Sequence, residues 1–111
     1  MYLYIEMWRA KKAWRDMPKA KRGAYMRGIM QGMEGTKTAG AELVAFALNE
    51  PDTPSRADYT YIAAWRMRDR STALTQDNYF VKSGWLDYFD QVNARGKAIT
   101  EEEMIRHHIM G

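Results

Sequence analysis

The chain has 111 residues, a formal net charge of +3, 13% aromatic and 28% charged residues, and no cysteine. That is one globular domain of ordinary composition, small enough that a partner subunit would help bury its core, and the aromatic content excludes a disordered chain. Without cysteine there is no disulfide framework, no thiolate metal site and no thiol nucleophile.

The first element is MYLYIEMW, in which Leu3, Ile5 and Met7 alternate with Tyr2, Tyr4, Glu6 and Trp8. A period of two with aromatic enrichment reads as a strand covered on both faces. Glu6 is the exception, a carboxylate on the face that carries Tyr4 and Trp8. Residues 9–27 then hold eight Lys and Arg against the single acid Asp16, leaving the rest of the chain net acidic. Such a segment reads either as a solvated helix face or as a surface following a phosphate backbone, and no nucleic-acid-binding motif accompanies it.

DMPKAKRGAYMRGIMQGMEG opens with Asp16 as N-cap and Pro18 in the first turn, and predicts a helix from about Met17 to Glu34. Tyr25, Ile29 and Met33 recur every four positions, and Gly35 and Gly40 bracket the exit. Ala24, Gly28 and Gly32 form a stripe of small residues on the same helix, which reads either as close packing on aromatic strands or as room for a ligand. Met26, Met30 and Met33 read as core filler or as an adaptable pocket wall.

AELVAFALN and DYTYIAAWRM read as two antiparallel strands separated by the polar, proline-bearing loop EPDTPSRA. A second helix is expected from Ser71 or Thr75 to about Arg95, with Gly96 as its terminator and Val81, Trp85, Tyr88, Phe89 and Val92 as its apolar stripe. Thr100 and Glu103 then form a capping box for a short terminal helix.

The order β-α-β-β-α matches the split β-α-β, ferredoxin-like plan, an α+β fold with helices on one face of an antiparallel sheet. The uncovered face calls for a second copy of the sheet. In that order, with MYLYIEMW, ELVAFALNEPDTPSRADYTYIAAWRM and GWLDYFDQVNARG, residues 1–96 resemble the dimeric α+β barrel superfamily, and more narrowly a bacterial family of unassigned function. Relatives in the superfamily include heme-degrading and antibiotic-biosynthesis monooxygenases, muconolactone isomerases, chlorite dismutases and polyketide cyclases. The resemblance implies a homodimer through the sheet and a ligand between sheet and helices. It departs in one place: only KAI, at residues 97–99, stands where a full fourth strand is expected, so that strand is very short or the tail of residues 97–111 crosses to the partner.

The resemblance also implies that the first and third strands pair, placing Tyr2, Tyr4, Glu6 and Trp8 beside Tyr59, Tyr61, Ala63 and Trp65. Glu6 then reads as a general acid or base with Tyr4 and Tyr61 as hydrogen-bond partners, or as half of a structural ion pair with Arg66 or another arginine. Trp8, Trp65, Trp85, Gly28 and Gly32 complete a candidate binding wall for a small apolar or aromatic molecule. His107 and His108 are adjacent and point about 100° apart on a helix, so they cannot form a two-histidine metal site. His107 is a candidate axial heme ligand only if the tail folds over the pocket; otherwise no cofactor is implied.

The expected function is a small-molecule-binding, cytoplasmic homodimer. It would be a cofactor-free isomerase, cyclase or monooxygenase, or alternatively a noncatalytic interaction module or assembly subunit using the basic segment 9–27 on nucleic acid. No stretch is long and apolar enough to cross a membrane.

Overall fold

A computed structural model describes residues 1–111. The alternating N-terminal run forms β1 (Tyr2–Ala10), followed by one helical turn, α1 (Lys12–Arg15), and the long α2 (Lys19–Thr38). Pro18, with φ −57° and ψ 145°, caps α2 through its extended backbone and no side chain does so. Asp16 instead closes α1, where its carboxylate pairs with Lys12, so the expected Asp16 cap is corrected. The helix runs past Gly35 to Thr38 because Ile29, Met33 and Thr36 bury one continuous face of it. Gly40 then makes the turn into β2 (Ala41–Leu48) at φ +117°, where a Cβ would stand 2.9 Å from the Cβ of Arg68.

The long loop returns in β3 (Tyr61–Met67), with Asn49 Nδ2 donating to the carbonyls of Ala57 and Tyr59 to hold it closed. Asp69 caps α3 (Arg70–Lys82) by accepting from the Thr72 backbone N–H at 2.9 Å. Here the structure departs from the second-helix expectation. Ser83 ends α3, Gly84 turns left-handed at φ 77°, and after the single turn α4 (Trp85–Tyr88) the chain becomes β4 (Phe89–Lys97). The apolar residues of the expected stripe therefore separate: Trp85 and Phe89 enter the core, while Val81 is 71% exposed and Val92 lies on the outer face of the sheet.

The physical reason is β1. It pairs with β3 on one edge, and β4 supplies the hydrogen-bonding partner for the other along nine residue pairs, Tyr2↔Lys97 to Ala10↔Phe89. The fourth strand is thus full length and ends at Lys97, the first residue of KAI. The sheet is antiparallel with order β2-β3-β1-β4, the ferredoxin-like arrangement.

The two long helices lie on one face, over a core built on Tyr4, Trp65, Met67, Phe80, Trp85 and Phe89. The opposite face presents Leu3, Ile5, Met7, Ile62, Ala64, Val92 and Ala94 with no helix over it. The terminal helix α5 (Glu101–Met110) carries its capping box at Thr100 and Glu103, buries no residue and makes no substantial contact with another element.

Candidate functional site

Glu6 lies opposite Ala63 on β3 and Asn93 on β4, and its side chain enters the layer between sheet and helices. The methyl group of Ala63 leaves the space it occupies. Only 2% of the residue is exposed. No arginine reaches it: Arg66 pairs with Glu42 at 3.5 Å, so the expected ion pair is replaced by neutral donors. Gln91 Nε2 donates to Glu6 Oε2 at 3.0 Å and Gln76 Nε2 to Oε1 at 3.4 Å. Gln91 is itself aimed by Trp85 Nε1, which donates to its Oε1 at 2.6 Å, and by its second donation to Asn93 Oδ1 at 2.8 Å.

Burial pushes the Glu6 carboxyl up to about 7; the amides of Gln91 and Gln76 and the nearby Trp65 indole N–H favour its charged form, and the Asp77 charge opposes it. The Trp65 N–H makes no hydrogen bond of normal geometry, and neither does the buried Oε1 of Gln76.

Beside Glu6 is a cavity of about 520 Å³. Fifteen residues line it and fourteen are hydrophobic, so Glu6 is the one ionisable carboxylate in an apolar chamber. Trp8 and Tyr61 stack at 5.6 Å on one wall, Trp85 and Phe89 at 4.2 Å on another, and Trp14, Phe46 and Phe80 extend the aromatic lining. From α2 come Met26, Ile29, Met30 and Met33. The half-exposed Met30 and Phe46 and the exposed Leu48 place the mouth between α2 and β2.

The structure brings Glu6, Trp8, Tyr61 and Trp85 together around this space and sets the other candidates apart from it. Tyr4 is fully buried behind the wall and donates to Asp77, whose other oxygen takes Arg95 Nη2 at 3.0 Å. Burial and that carboxylate hold the Tyr4 hydroxyl far above the usual phenol range, so it serves as a proton-bearing donor to Asp77. Trp65 is fully buried outside the lining.

Gly32 faces Tyr79, with its Cβ position only 2.1 Å from the phenolic oxygen, so its role there is close packing. Gly28 is exposed with open space around its Cβ position, and His107 is exposed on α5. His107 was a candidate axial heme ligand only if the tail folded over the pocket; it lies instead on exposed α5, and no histidine or cysteine lines the cavity.

Part of the basic segment is engaged within the domain and part is solvated. Arg9 bridges Asp58 and Asp90, Lys11 donates to the Leu86 carbonyl, Arg15 to the Ala10 carbonyl, and Lys19, Lys21 and Arg27 are solvated.

Gln91, Gln76 and Asp77 escaped the sequence reading. Gln91 was hidden by the assignment of its segment to a helix, although FDQVNARG alternates between the core face and the outer face. Gln76 and Asp77 sit on α3 with no pattern that marks them apart from solvent-facing positions.

The profile of a family of unknown function, DUF6616, matches residues 1–110. No curated protein matches the sequence. Among solved structures, a variant chlorite dismutase from Candidatus Nitrospira defluvii superposes with a TM-score of 0.65 at 12% identity over 97% of this chain and 47% of the other, so the chain spans about half that protein's length. A protein described as an antibiotic biosynthesis monooxygenase, from Nitrosomonas europaea, gives 0.52 at 14% identity over 90% of this chain and 100% of its own. A hypothetical protein of Arabidopsis thaliana gives 0.54 at 11% identity over 89% and 88%. At these identities the likeness establishes the fold alone, a ferredoxin-like α+β arrangement.

Proposed function

We propose, for a chain that belongs to the DUF6616 family of unknown function, that it binds a small, mostly apolar organic molecule between sheet and helices and that Glu6 exchanges a proton with it. The observation that carries this reading is a carboxylate buried in an otherwise apolar cavity with only neutral amides as partners, its pKa pushed to about 7. A group poised there is close to half ionised at neutral pH and serves equally as acid or base. Trp8, Tyr61 and Trp85 would hold a planar substrate, the methionines of α2 would adapt to its edge, and Gln91 would fix the carboxylate while the apolar walls exclude water. The chemistry fitting that equipment is cofactor-free proton transfer, as in isomerisation or cyclisation.

The same reading includes a homodimer. The outer sheet face would offer Leu3, Ile5, Val92 and Ala94 to a second copy, and α5 would cross to that partner as an arm separate from the domain of residues 1–96, a reading supported by the exposure of Ile109 at 76% and Met110 at 80%. The test is affinity selection from a metabolite extract of the host. A compound should be enriched by both the wild type and Glu6→Gln, and converted only by the wild type. Equal conversion by Glu6→Gln removes the acid–base role, and no enrichment by either removes the binding role.

A further inference from the structure

We propose that the cavity selects organic cations: hydrophobic amines whose ammonium group sits between the Glu6 carboxylate and the aromatic rings of Trp8, Tyr61 and Trp85. The proposal rests on the reading above, that the cavity binds a small molecule, and names its class.

The argument begins with charge. The lining contains one carboxylate and no lysine, arginine or histidine. Around Glu6, α3 contributes Gln76 and Asp77, β4 contributes Gln91 and Asn93, β3 contributes Ala63 and Trp65, and β1 contributes Tyr4. Only Asp77 among these is charged, and it is already committed to Arg95 and to the Tyr4 hydroxyl. No cation lines the cavity or touches Glu6 to balance its carboxylate when it ionises. An anionic ligand would meet a second negative charge in a desolvated space, and a neutral one would leave the carboxylate uncompensated. A cation supplies the missing counter-charge.

Hydrogen-bond valence points the same way. Glu6 gives the cavity its only carboxylate oxygens, while the unpartnered Oε1 of Gln76 lies outside the lining. An ammonium group is donor only, and carboxylate acceptors suit it. The rings add to this, since a cation within about 6 Å of an indole or phenol face is drawn by the ring quadrupole, most strongly when desolvated. The cavity volume of about 520 Å³ holds a bicyclic aromatic body with room for its side chain. Burial, which holds the carboxyl partly protonated when the cavity is empty, adds a consequence: amine binding requires the ionised form and expels a proton.

The test is isothermal titration calorimetry of the full chain with three probes of one shape: naphthylmethylamine, naphthylmethanol and naphthoic acid, at about pH 8. The amine should bind at least about tenfold more tightly than the alcohol and the acid most weakly. At about pH 6, titrations in buffers of different ionisation enthalpy should show proton release with the amine and none with the alcohol. Glu6→Gln should erase the preference for the amine while the alcohol still binds, and the wild-type series decides the matter by itself if that variant does not fold. Equal affinity for amine and alcohol, or tightest binding of the acid, overturns the cation proposal and leaves the cavity standing. Binding of none of the three overturns both.

Discussion

Replacing Glu6 by Gln should stabilise the protein at alkaline pH and remove a pH dependence that the wild type carries. In the unfolded chain this carboxyl ionises near its ordinary 4.5, and in the folded protein at about 7. Between those values the native state holds a proton that the unfolded state has released. Stability contributed by this group is therefore complete below 4.5 and falls as pH rises toward 7. At 1.36 kcal/mol per pH unit the loss amounts to about 3 kcal/mol, a large part of the stability of a domain this size. Gln keeps the shape and removes the titration. Urea unfolding of both proteins at about pH 5 and about pH 8 measures it, because the difference between them isolates the one group. Asp69, whose carboxyl is held below its usual range by hydrogen bonds from Thr72, acts on both proteins alike and cancels. The wild type should lose about 2.5 kcal/mol relative to Glu6→Gln across that interval, the remainder of the loss lying below pH 5. Parallel pH profiles would refute the reasoning, since they would mean that Glu6 ionises in the native state as easily as in water.

Four further substitutions test neighbouring parts of the account. Gly32→Ala should destabilise the fold by about 1–3 kcal/mol, because the new methyl group displaces the Tyr79 ring and its 2.9 Å hydrogen bond to the Ile29 carbonyl, whereas Gly28→Ala, in open space, should gain up to about 1 kcal/mol from helix propensity; thermal unfolding separates them. Gln91→Leu removes a donor that favours the charged carboxylate, so the Glu6 pKa should rise above its present value, read by carbon NMR of the side-chain carboxyl, and a fall or no change would show that Gln91 does not hold it. Ile5→Lys places a charge in the middle of the outer sheet face and should halve the sedimenting mass of the proposed dimer while leaving helix content unchanged; an unchanged mass would remove the sheet from the interface.

Much of the fold is written in local pattern. The alternation around Glu6 is a strand that buries Tyr4 and Glu6 and turns Leu3 outward, and the spacing of Tyr25, Ile29 and Met33 is a helix lying on a sheet. That the face of Tyr4, Glu6 and Trp8 lies beside the face of Tyr61, Ala63 and Trp65 was implied by the resemblance, and the structure supplies the register, Tyr4 with Trp65, Glu6 with Ala63 and Trp8 with Tyr61. What local pattern did not show was β4. Trp85, Phe89 and Val92 are spaced as a helix would space them, and only the left-handed turn at Gly84 and the vacant edge of β1 decide for a strand, the second of which is a nonlocal demand. The error carried into the site, because Gln91 becomes a partner of Glu6 only when its segment lies alongside β1. The glycine stripe misled for a related reason. Spacing puts Gly28 and Gly32 on one side of α2, but only Gly32 has a neighbouring element close enough to need it.

The claim that the chain holds a small organic molecule against Glu6 is tested most directly by native mass spectrometry of protein purified from its own host, wild type beside Met30→Trp. Met30 is half exposed at the cavity mouth, so an indole there blocks entry with little disturbance of the core. The account predicts a discrete organic mass retained by the wild type and absent from Met30→Trp. The same mass on both proteins, or on neither, would contradict it.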